Sequence, residues 1–185
     1  MANAQTEKGK ILLDASSSLD FTSLSSKWET NYNSGDGGKT SSFDFSPAVG
    51  YFVANNLAFG IMLELSTTTE KDDYDKYTTS SSIVMPFAVY YFGKNNVKPY
   101  LQGGLGPGWG KEKSHPSGDT SVTIKTNLFS YAFGGGLAIF LNDNIALDIG
   151  LGYASVTSKW NDLSNVDWKN TANGFSSSIG FSVIF

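Results

Sequence analysis

Large apolar residues alternate with small or polar ones along most of the chain, and the alternation is clearest at its end. In 175–185 the odd positions include Phe175, Ile179, Phe181, Val183 and Phe185, whereas the even positions from 176 to 182 hold only serine and glycine. A period of two residues indicates a β-strand with two unlike faces. An apolar face backed by a small, weakly polar one is typical of a wall between lipid and an interior.

Seven earlier segments repeat this pattern, and in each of them the odd positions form the apolar face. The eight predicted strands cover about 9–22, 41–52, 57–69, 79–92, 97–110, 126–141, 145–157 and 175–185. Short turns at 53–56, 93–96 and 142–144 define a short-turn end, and loops at 23–40, 70–78, 111–125 and 158–170 define a long-loop end. We expect the parity to persist because residues paired across a hairpin share a face. Eight consecutive antiparallel strands can close into an up-and-down barrel.

The placement of charge indicates which face points outward. All 13 basic residues are lysines, and each falls in an expected loop, in a turn or near the N-terminus. A soluble lipocalin-like barrel, which is the alternative, would carry lysine on its outer face, whereas lysine at a bilayer midplane costs ~2–4 kcal/mol. The pattern therefore predicts an all-β, eight-stranded antiparallel up-and-down transmembrane β-barrel over 9–185, preceded by a tail at 1–8.

Aromatic residues on the odd face are expected to form two girdles around an apolar band, as in outer-membrane barrels. The expected members are Phe21, Phe43, Trp109, Phe129, Tyr153 and Phe175 at the long-loop end, and Tyr51, Phe59, Tyr91 and Phe185 at the short-turn end. Pro47, Pro86 and Pro107 fall inside predicted strands, so we expect bulges or breaks in the hydrogen-bond ladder there.

Composition narrows the range of functions. The chain has 185 residues, no cysteine and a formal charge of −4, which argues against nucleic-acid binding and excludes thiol chemistry. With one histidine, no metal site is expected, and the residues call for no cofactor. The segment Ala2-Asn3-Ala4 fits the end of a signal-peptide cleavage site, so we expect a mature chain from which a signal peptide has been removed.

The chain resembles the small outer-membrane β-barrel family of OmpA/OmpX-like proteins and opacity-type porins. The resemblance rests on 98–106, on 134–147 and on the terminal Phe185. It implies a Gram-negative outer membrane, extracellular long loops and periplasmic termini. It also implies contact with outer-membrane lipid, and a barrel-assembly machinery that reads Phe181, Val183 and Phe185. The family includes adhesins, envelope anchors, small pores and a few enzymes, so the fold alone does not decide function.

Four carboxylates lie at even positions and are expected inside the barrel. They are Asp14, Asp44, Glu64 and Asp148. Because no basic residue shares their depth in the predicted strands, they either contact water and donors such as Tyr90, Tyr100 and Gln102 or form a cation or proton site. Depending on the turn after strand two, Asp44 lies opposite Glu64 or diagonal to it, and we expect the two to form a coupled acidic pair.

Two groups of loop residues are candidates for binding or chemistry. Trp28, Tyr32, Trp160 and Trp168 fall in the first and last loops, which become neighbours if strand eight closes on strand one, and there they would form an exposed aromatic surface. The alternative is that these rings pack on one another or at the lipid rim. His115, with Ser117 and Asp119, is the only candidate hydrolytic group, but its Pro- and Gly-rich context is typical of a solvated loop.

The sequence thus predicts a non-enzymatic outer-membrane barrel with a structural, adhesive or binding role, the last toward an extracellular ligand. A narrow passive channel for small solutes or cations is the first alternative, and a lipid or peptide hydrolase at the rim is the second.

Overall fold

In the computed structural model the described residues are 4–14, 20–29, 34–71, 75–116, 122–161 and 167–185. Only the backbone is described at 4, 20–29, 34–38, 116, 160–161 and 167–168. Over these ranges the chain forms a short 3-10 helix, Ala4–Thr6, and ten strands. The strands are β1 (Ile11–Asp14), β2 (Asp20–Glu29), β3 (Ser34–Phe45), β4 (Ala48–Ala54), β5 (Leu57–Lys71), β6 (Asp75–Tyr91), β7 (Val97–Pro116), β8 (Val122–Phe140), β9 (Ile145–Asn161) and β10 (Asp167–Ile184). No helix in the described ranges is long and apolar enough to cross a membrane.

The strands close into a barrel with antiparallel pairing throughout the described part. β1 pairs with β4 and β10, β4 pairs with β5, and β5 to β10 pair in sequence, which gives a ring of eight strands. Toward the long-loop end from β1 and β4, β2 and β3 pair with each other, and β3 also pairs with β5. The predicted eight-stranded up-and-down barrel is confirmed.

The strands at the long-loop end are longer than the alternation predicted. β2 and β3 occupy most of the expected loop 23–40, and β7 and β8 continue to Pro116 and from Val122 across the expected loop 111–125. The expected loops 70–78 and 158–170 are likewise shortened by β5, β6, β9 and β10. The reason is that backbone pairing continues through segments rich in Ser, Thr and Lys, where no long alternation of large apolar and small residues marks a strand.

The short-turn end has tighter connections. Asn56, between β4 and β5, and Gly93, after β6, both have positive φ, of 68° and 84°. This left-handed conformation is tolerated best by glycine and asparagine, so these residues suit the sharp reversals they make.

Prolines interrupt the ladder at two places. Pro47 lies in the gap between β3 and β4. Pairing between β6 and β7 stops after Ile83 with Gly108 and resumes at Phe87 with Gly104, so Pro86 and Pro107 fall in a single break. Because proline has no N–H to donate, placing both at one gap confines the lost hydrogen bonds to one site. The expected ladder breaks are confirmed.

The parity of the strands is as predicted except in β6. Odd-numbered apolar residues point outward in β5, β7 and β8, as the exposure of Ile61, Leu101 and Phe133 shows. In β6 the odd residues Ile83, Met85, Phe87, Val89 and Tyr91 are buried instead. The prediction that odd residues face outward throughout is therefore wrong for this strand.

The inversion follows from hairpin geometry. Partners in the β5–β6 and β6–β7 hairpins combine one odd and one even residue, such as Lys71 with Lys76 and Tyr91 with Tyr100. An even number of residues between partners moves the odd positions to the other face, and the next hairpin moves them back. Tyr91, expected in the short-turn girdle, is consequently inside, and Tyr90 and Phe92 are exposed in its place and pack edge to face with ring centroids 4.8 Å apart.

Candidate functional site

The inner face of β6 occupies the middle of the barrel. Met85 is 2 % exposed, and Phe87 and Ile83 are also buried. Phe87 pairs with Gly60 on one side and Gly104 on the other, and Ile83 pairs with Gly108. A Cβ added to Gly60 would lie 2.6 Å from the Phe87 ring, and one added to Gly108 would lie 2.6 Å from Ile83 Cγ1. The glycines of β5 and β7 therefore make the space that the large side chains of β6 occupy.

A second cluster closes the short-turn end. Leu12, Phe52, Tyr91, Tyr100, Phe140 and Ile184 are buried together there. The residues before β1, expected to be a tail, lie against this cluster: Gln5 and Thr6 are buried, and the Gly9 and Asn56 amides donate to the Phe52 and Thr6 carbonyl oxygens at 2.8 and 2.7 Å. The chain from Ala4 onward thus covers one end of the interior.

Lys98 is a residue of this end whose burial the sequence did not suggest. It is 0 % exposed, donates from Nζ to Thr6 Oγ1 at 2.8 Å, and lies 5.3 Å from the centroid of the Phe140 ring. Thr6 Oγ1 in turn donates to Asn56 Oδ1. The expectation that every lysine lies in a loop, in a turn or near the N-terminus is therefore wrong here. The signal in the sequence was parity, because Lys98 has an even number in a strand whose even residues face inward.

The four expected interior carboxylates lie on β1, β3, β5 and β9. Asp44 pairs with Ser66, so Glu64 is diagonal to it, which is one of the two registers expected. Diagonal partners have Cα atoms about 7–8 Å apart, and the expected coupling of the two carboxyls stays a prediction. Asp14 and Asp148 lie on either side of β10, since Asp14 pairs with Ser182 and Asp148 with Gly180.

Asp148 is the most isolated of these groups. It is 5 % exposed, and neither of its carboxyl oxygens has a hydrogen-bond partner among the described residues. The buried Ser182 hydroxyl lies beside it, and Asp14, Tyr91 and Tyr100 lie within electrostatic range. A buried carboxylate is costly unless a donor or an opposite charge stabilises it, so this position is suited to a bound proton or cation.

A cavity of about 200 Å³ lies in the middle of the barrel. Its polar lining includes Glu64, Tyr100, Gln102, Ser176 and Ser178, and its apolar lining includes Met62, Met85 and several glycines. Tyr100 and Gln102 thus face the interior, as expected. Tyr90 does not: it is 42 % exposed on the outer surface, because the inversion of β6 turns its even positions outward. The prediction of Tyr90 as an interior donor is wrong.

A family model named "Outer membrane protein beta-barrel domain" matches residues 1–185. The chain belongs to this family of outer-membrane β-barrels. The protein is thus a transmembrane barrel of the bacterial outer membrane. No curated protein gives a significant match to its sequence.

Solved structures share the fold of this outer-membrane barrel. Ail, the attachment invasion locus protein of Yersinia pestis, is 18% identical with a TM-score of 0.54, over 96% of this chain and 99% of Ail. A major outer membrane protein from Thermus thermophilus is 13% identical with a TM-score of 0.55, over 97% and 100%. OprG from Pseudomonas aeruginosa is 14% identical with a TM-score of 0.50, over 98% of each chain.

The tryptophans expected in loops of this outer-membrane barrel lie on strands instead. Trp28 is part of β2, and Trp160 on β9 pairs directly with Trp168 on β10. Tyr32 lies outside the described residues. In the described ranges β10 pairs with β1 only at Ser182–Ile184 and has no pairing with β2, so a joint surface of these aromatics stays a prediction.

His115 also lies on a strand, because β7 continues to Pro116. It is exposed opposite Lys76, and its expected partners Ser117 and Asp119 lie outside the described residues. At the end of the chain, Phe181 and Phe185 are exposed and Val183 is partly exposed, and their expected role as an assembly signal stays a prediction.

Proposed function

We propose that this protein is a non-enzymatic outer-membrane barrel whose structural, adhesive or binding role lies on its outer surface and at its long-loop end. The observation that supports this proposal is the inversion of β6, which narrows the middle of the barrel by placing Ile83, Met85 and Phe87 inside, beside the central cavity. A barrel of eight strands has an interior about wide enough for side chains, so these residues leave little room for a solute to pass.

The closed short-turn end supports the same proposal. Phe52 and Tyr91 pack with ring centroids 6.0 Å apart beneath the segment Ala4–Thr6, and the Lys98 ammonium donates a hydrogen bond to Thr6. A solute would have to displace this segment and a buried hydrogen bond to reach the other side.

The long-loop end is the candidate surface for an extracellular ligand. Its strands extend as hairpins, and the Trp160–Trp168 pair and Trp28 lie near their ends. With Tyr32 they are the proposed binding residues, since exposed aromatic clusters are common at recognition sites. The barrel-assembly machinery, which would read Phe181, Val183 and Phe185, is the proposed partner during biogenesis. Ail, named as an attachment invasion locus protein, shares the fold, but its sequence identity of 18% is too low to assign its role to this protein.

Planar-bilayer recording tests the closed interior. We expect the purified protein to show no steady nanosiemens-scale conductance. Replacing both Met85 and Phe87 with glycine should produce measurable openings, while Tyr90→Ala, on the outer face of the same strand, should not. Steady conductance of the unmodified protein would overturn the proposal and favour a channel.

Labelling of intact cells tests the orientation. A cysteine in place of Asn161 should react with an impermeant maleimide, and one in place of Asn142 should react only after the outer membrane is permeabilised. The chain has no cysteine of its own, so the label reports these positions alone. The reverse pattern would place the long-loop end in the periplasm and exclude an extracellular ligand there.

A narrow cation pathway is the second candidate, and the unpartnered Asp148 carboxyl favours it. If this candidate is right, small cation-selective currents should disappear in Asp148→Asn and persist in Asp143→Asn, whose side chain is exposed in a turn. A rim hydrolase based on His115 has no supporting contact in the described part of the chain.

A further inference from the structure

Asp148 lies on the inward face of β9 between two small residues. It pairs with Ala138 on β8 and with Gly180 on β10, neither of which has a polar side chain. Both carboxyl oxygens are buried, and neither makes a hydrogen bond of ordinary geometry with a described residue. The hydroxyl and the backbone N–H of Ser182 lie close by, but a carboxylate can accept about four hydrogen bonds. Among the described residues, most of the capacity of this carboxylate to bind a donor or a cation is therefore unused.

Lys98 is the only buried basic residue among those whose side chains are described, and it makes no hydrogen bond to Asp148. The two residues lie in one row across the sheet, because both pair with Ala138. The Lys98 ammonium instead donates to Thr6 Oγ1 at 2.8 Å and lies over the Phe140 ring. The one buried lysine of the described part is thus used to hold the covering of the short-turn end.

Three other strands bring oxygen-bearing side chains near Asp148. Asp14 on β1 pairs with Ser182 on β10, and Asp14 lies within electrostatic range of Asp148. Tyr100 reaches across the interior from β7, since its hydroxyl would lie 2.7 Å from a Cβ added to Gly150, the next inward residue of β9. Tyr100 is also within electrostatic range of both carboxyls. We call Asp14, Tyr100, Asp148 and Ser182 the oxygen cluster.

The oxygen cluster offers carboxylate and hydroxyl oxygens as ligands. The chain has no cysteine, and its single histidine, His115, lies near the far end of β7. Oxygen ligands suit hard ions such as Ca²⁺ and Mg²⁺. One divalent ion balances the charge of two carboxylates, and two bidentate carboxylates with two hydroxyls supply about six oxygens, the lower limit for Ca²⁺. Mg²⁺ fits a buried cluster less well because it demands octahedral geometry and keeps several of its waters.

We propose that the oxygen cluster binds one calcium ion through the Asp148 carboxylate, and that Asp14, Ser182 and Tyr100 complete the site. The ion enters from the long-loop end, because Tyr100 also lines the central cavity whereas Ala4–Thr6 covers the opposite end. The bound ion offsets the cost of the buried charge and links β1, β7, β9 and β10. The proposal uses the same carboxyl as the cation pathway, but a bound ion stabilises the barrel whether or not any current flows, so the two are tested separately.

Thermal unfolding in a neutral detergent, followed by circular dichroism, tests this binding with calcium chloride as the probe. The midpoint of the unmodified protein should rise by about 3–5 °C for each tenfold increase in free calcium above Kd, because the ion binds only the folded barrel. Asp148→Asn should abolish this rise. In a chelator the same variant should unfold at a higher temperature than the unmodified protein, since it removes a buried charge and keeps the shape. Ser182→Ala should weaken calcium binding roughly tenfold, and it replaces the first variant if that does not fold.

Two control variants remove carboxyls outside the oxygen cluster. Asp143→Asn changes an exposed turn of the short-turn end, and Glu112→Gln changes the space inside the barrel mouth that Glu112 lines with Glu70 and Tyr77. Both variants should keep the calcium response of the unmodified protein.

Four results would overturn the proposal. Calcium stabilisation that persists in Asp148→Asn, or that is lost in Glu112→Gln, would place the ion elsewhere, in the second case at the barrel mouth. An equal rise with sodium chloride at the same concentration would assign the site to a monovalent ion. No response to calcium, with the midpoint of Asp148→Asn unchanged in a chelator, would favour a proton on this carboxyl. A lower midpoint of Asp148→Asn in a chelator would show that a donor or Lys98 already stabilises the carboxylate.

Discussion

The two ends of this barrel are built in different ways. The short-turn end has a buried cluster around Phe52 and Phe140, covered by Ala4–Thr6 and joined to it through Lys98. At the long-loop end, contacts between neighbouring strands include hydroxyl pairs such as Thr67 with Ser80 at 3.3 Å and Thr69 with Thr78 at 3.5 Å. The difference indicates that one end contributes packing energy, while the other holds neighbouring strands together partly through polar side-chain contacts.

Aromatic truncation should give the largest difference between the ends. Phe52→Ala empties a fully buried site and should lower the free energy of unfolding by about 3–5 kcal/mol. Tyr77→Ala, at a partly exposed position of the long-loop end, should cost under about 1 kcal/mol. Urea unfolding in detergent measures both, and similar losses would remove the distinction between the two ends.

Adding a methyl group at each of two glycines should give the next largest difference in stability between the two positions. At Gly60 it would meet the Phe87 ring and the Val49 carbonyl oxygen, so Gly60→Ala should cost about 2–3 kcal/mol. At Gly174 it meets nothing within 4 Å, and the same change should be neutral or slightly stabilising. The folded fraction after refolding into detergent checks this, and a neutral Gly60→Ala would mean that Phe87 moves freely.

Removal of a hydroxyl should also separate the ends. Thr6→Val takes away the acceptor of the buried Lys98 ammonium and should cost about 1–2 kcal/mol, because a hydrogen bond to a charged group is lost. Thr69→Val removes a long hydroxyl contact at a strand position where valine is favoured, so its effect should stay within about 0.5 kcal/mol. Equal effects in urea titrations would show that Lys98 finds another acceptor.

Removal of a charge in the central cavity, between the two ends, should have the smallest effect on the free energy of unfolding. Unlike the other changes, it should stabilise the barrel. Glu64 lines the central cavity beside Met62 and Met85, and Glu64→Gln should stabilise the barrel at pH 7 by about 1 kcal/mol, since unpaired charges are costly in such surroundings. Glu70→Gln, at an exposed position, should change little. Destabilisation by Glu64→Gln would show that donors or a cation hold this carboxylate.

Much of the fold could be predicted from local pattern. The alternation of Phe175, Ile179 and Phe181 with serine and glycine determines which face of β10 lies outward, and the exposure of these residues agrees. β6 could not be assigned in this way because both of its faces are apolar: Ile83, Met85 and Phe87 alternate with Val84, Pro86 and Ala88. Its face depends on the hairpins on both sides and on the glycines of two other strands.

The candidate site was predicted less completely than the fold. Tyr100, Gln102 and Glu64 could be placed inside by parity, and the structure places them around one cavity. Tyr90 was misplaced with its strand, and the contact of Lys98 with Thr6 joins residues 92 positions apart. The closeness of Tyr100 to Asp148 was hidden because the two lie on strands that do not pair with each other.

The sequence by itself determined the period of two, the apolar outer band with its aromatic ends, and the number of membrane crossings, because each follows from residues close together in the chain. The tertiary structure alone decided the inward face of β6, the covering of the short-turn end by Ala4–Thr6, and the closeness of Tyr100 to Asp148 across the interior. These features depend on register and on space between strands, and both are set only when the barrel closes and each side chain competes with partners distant in sequence.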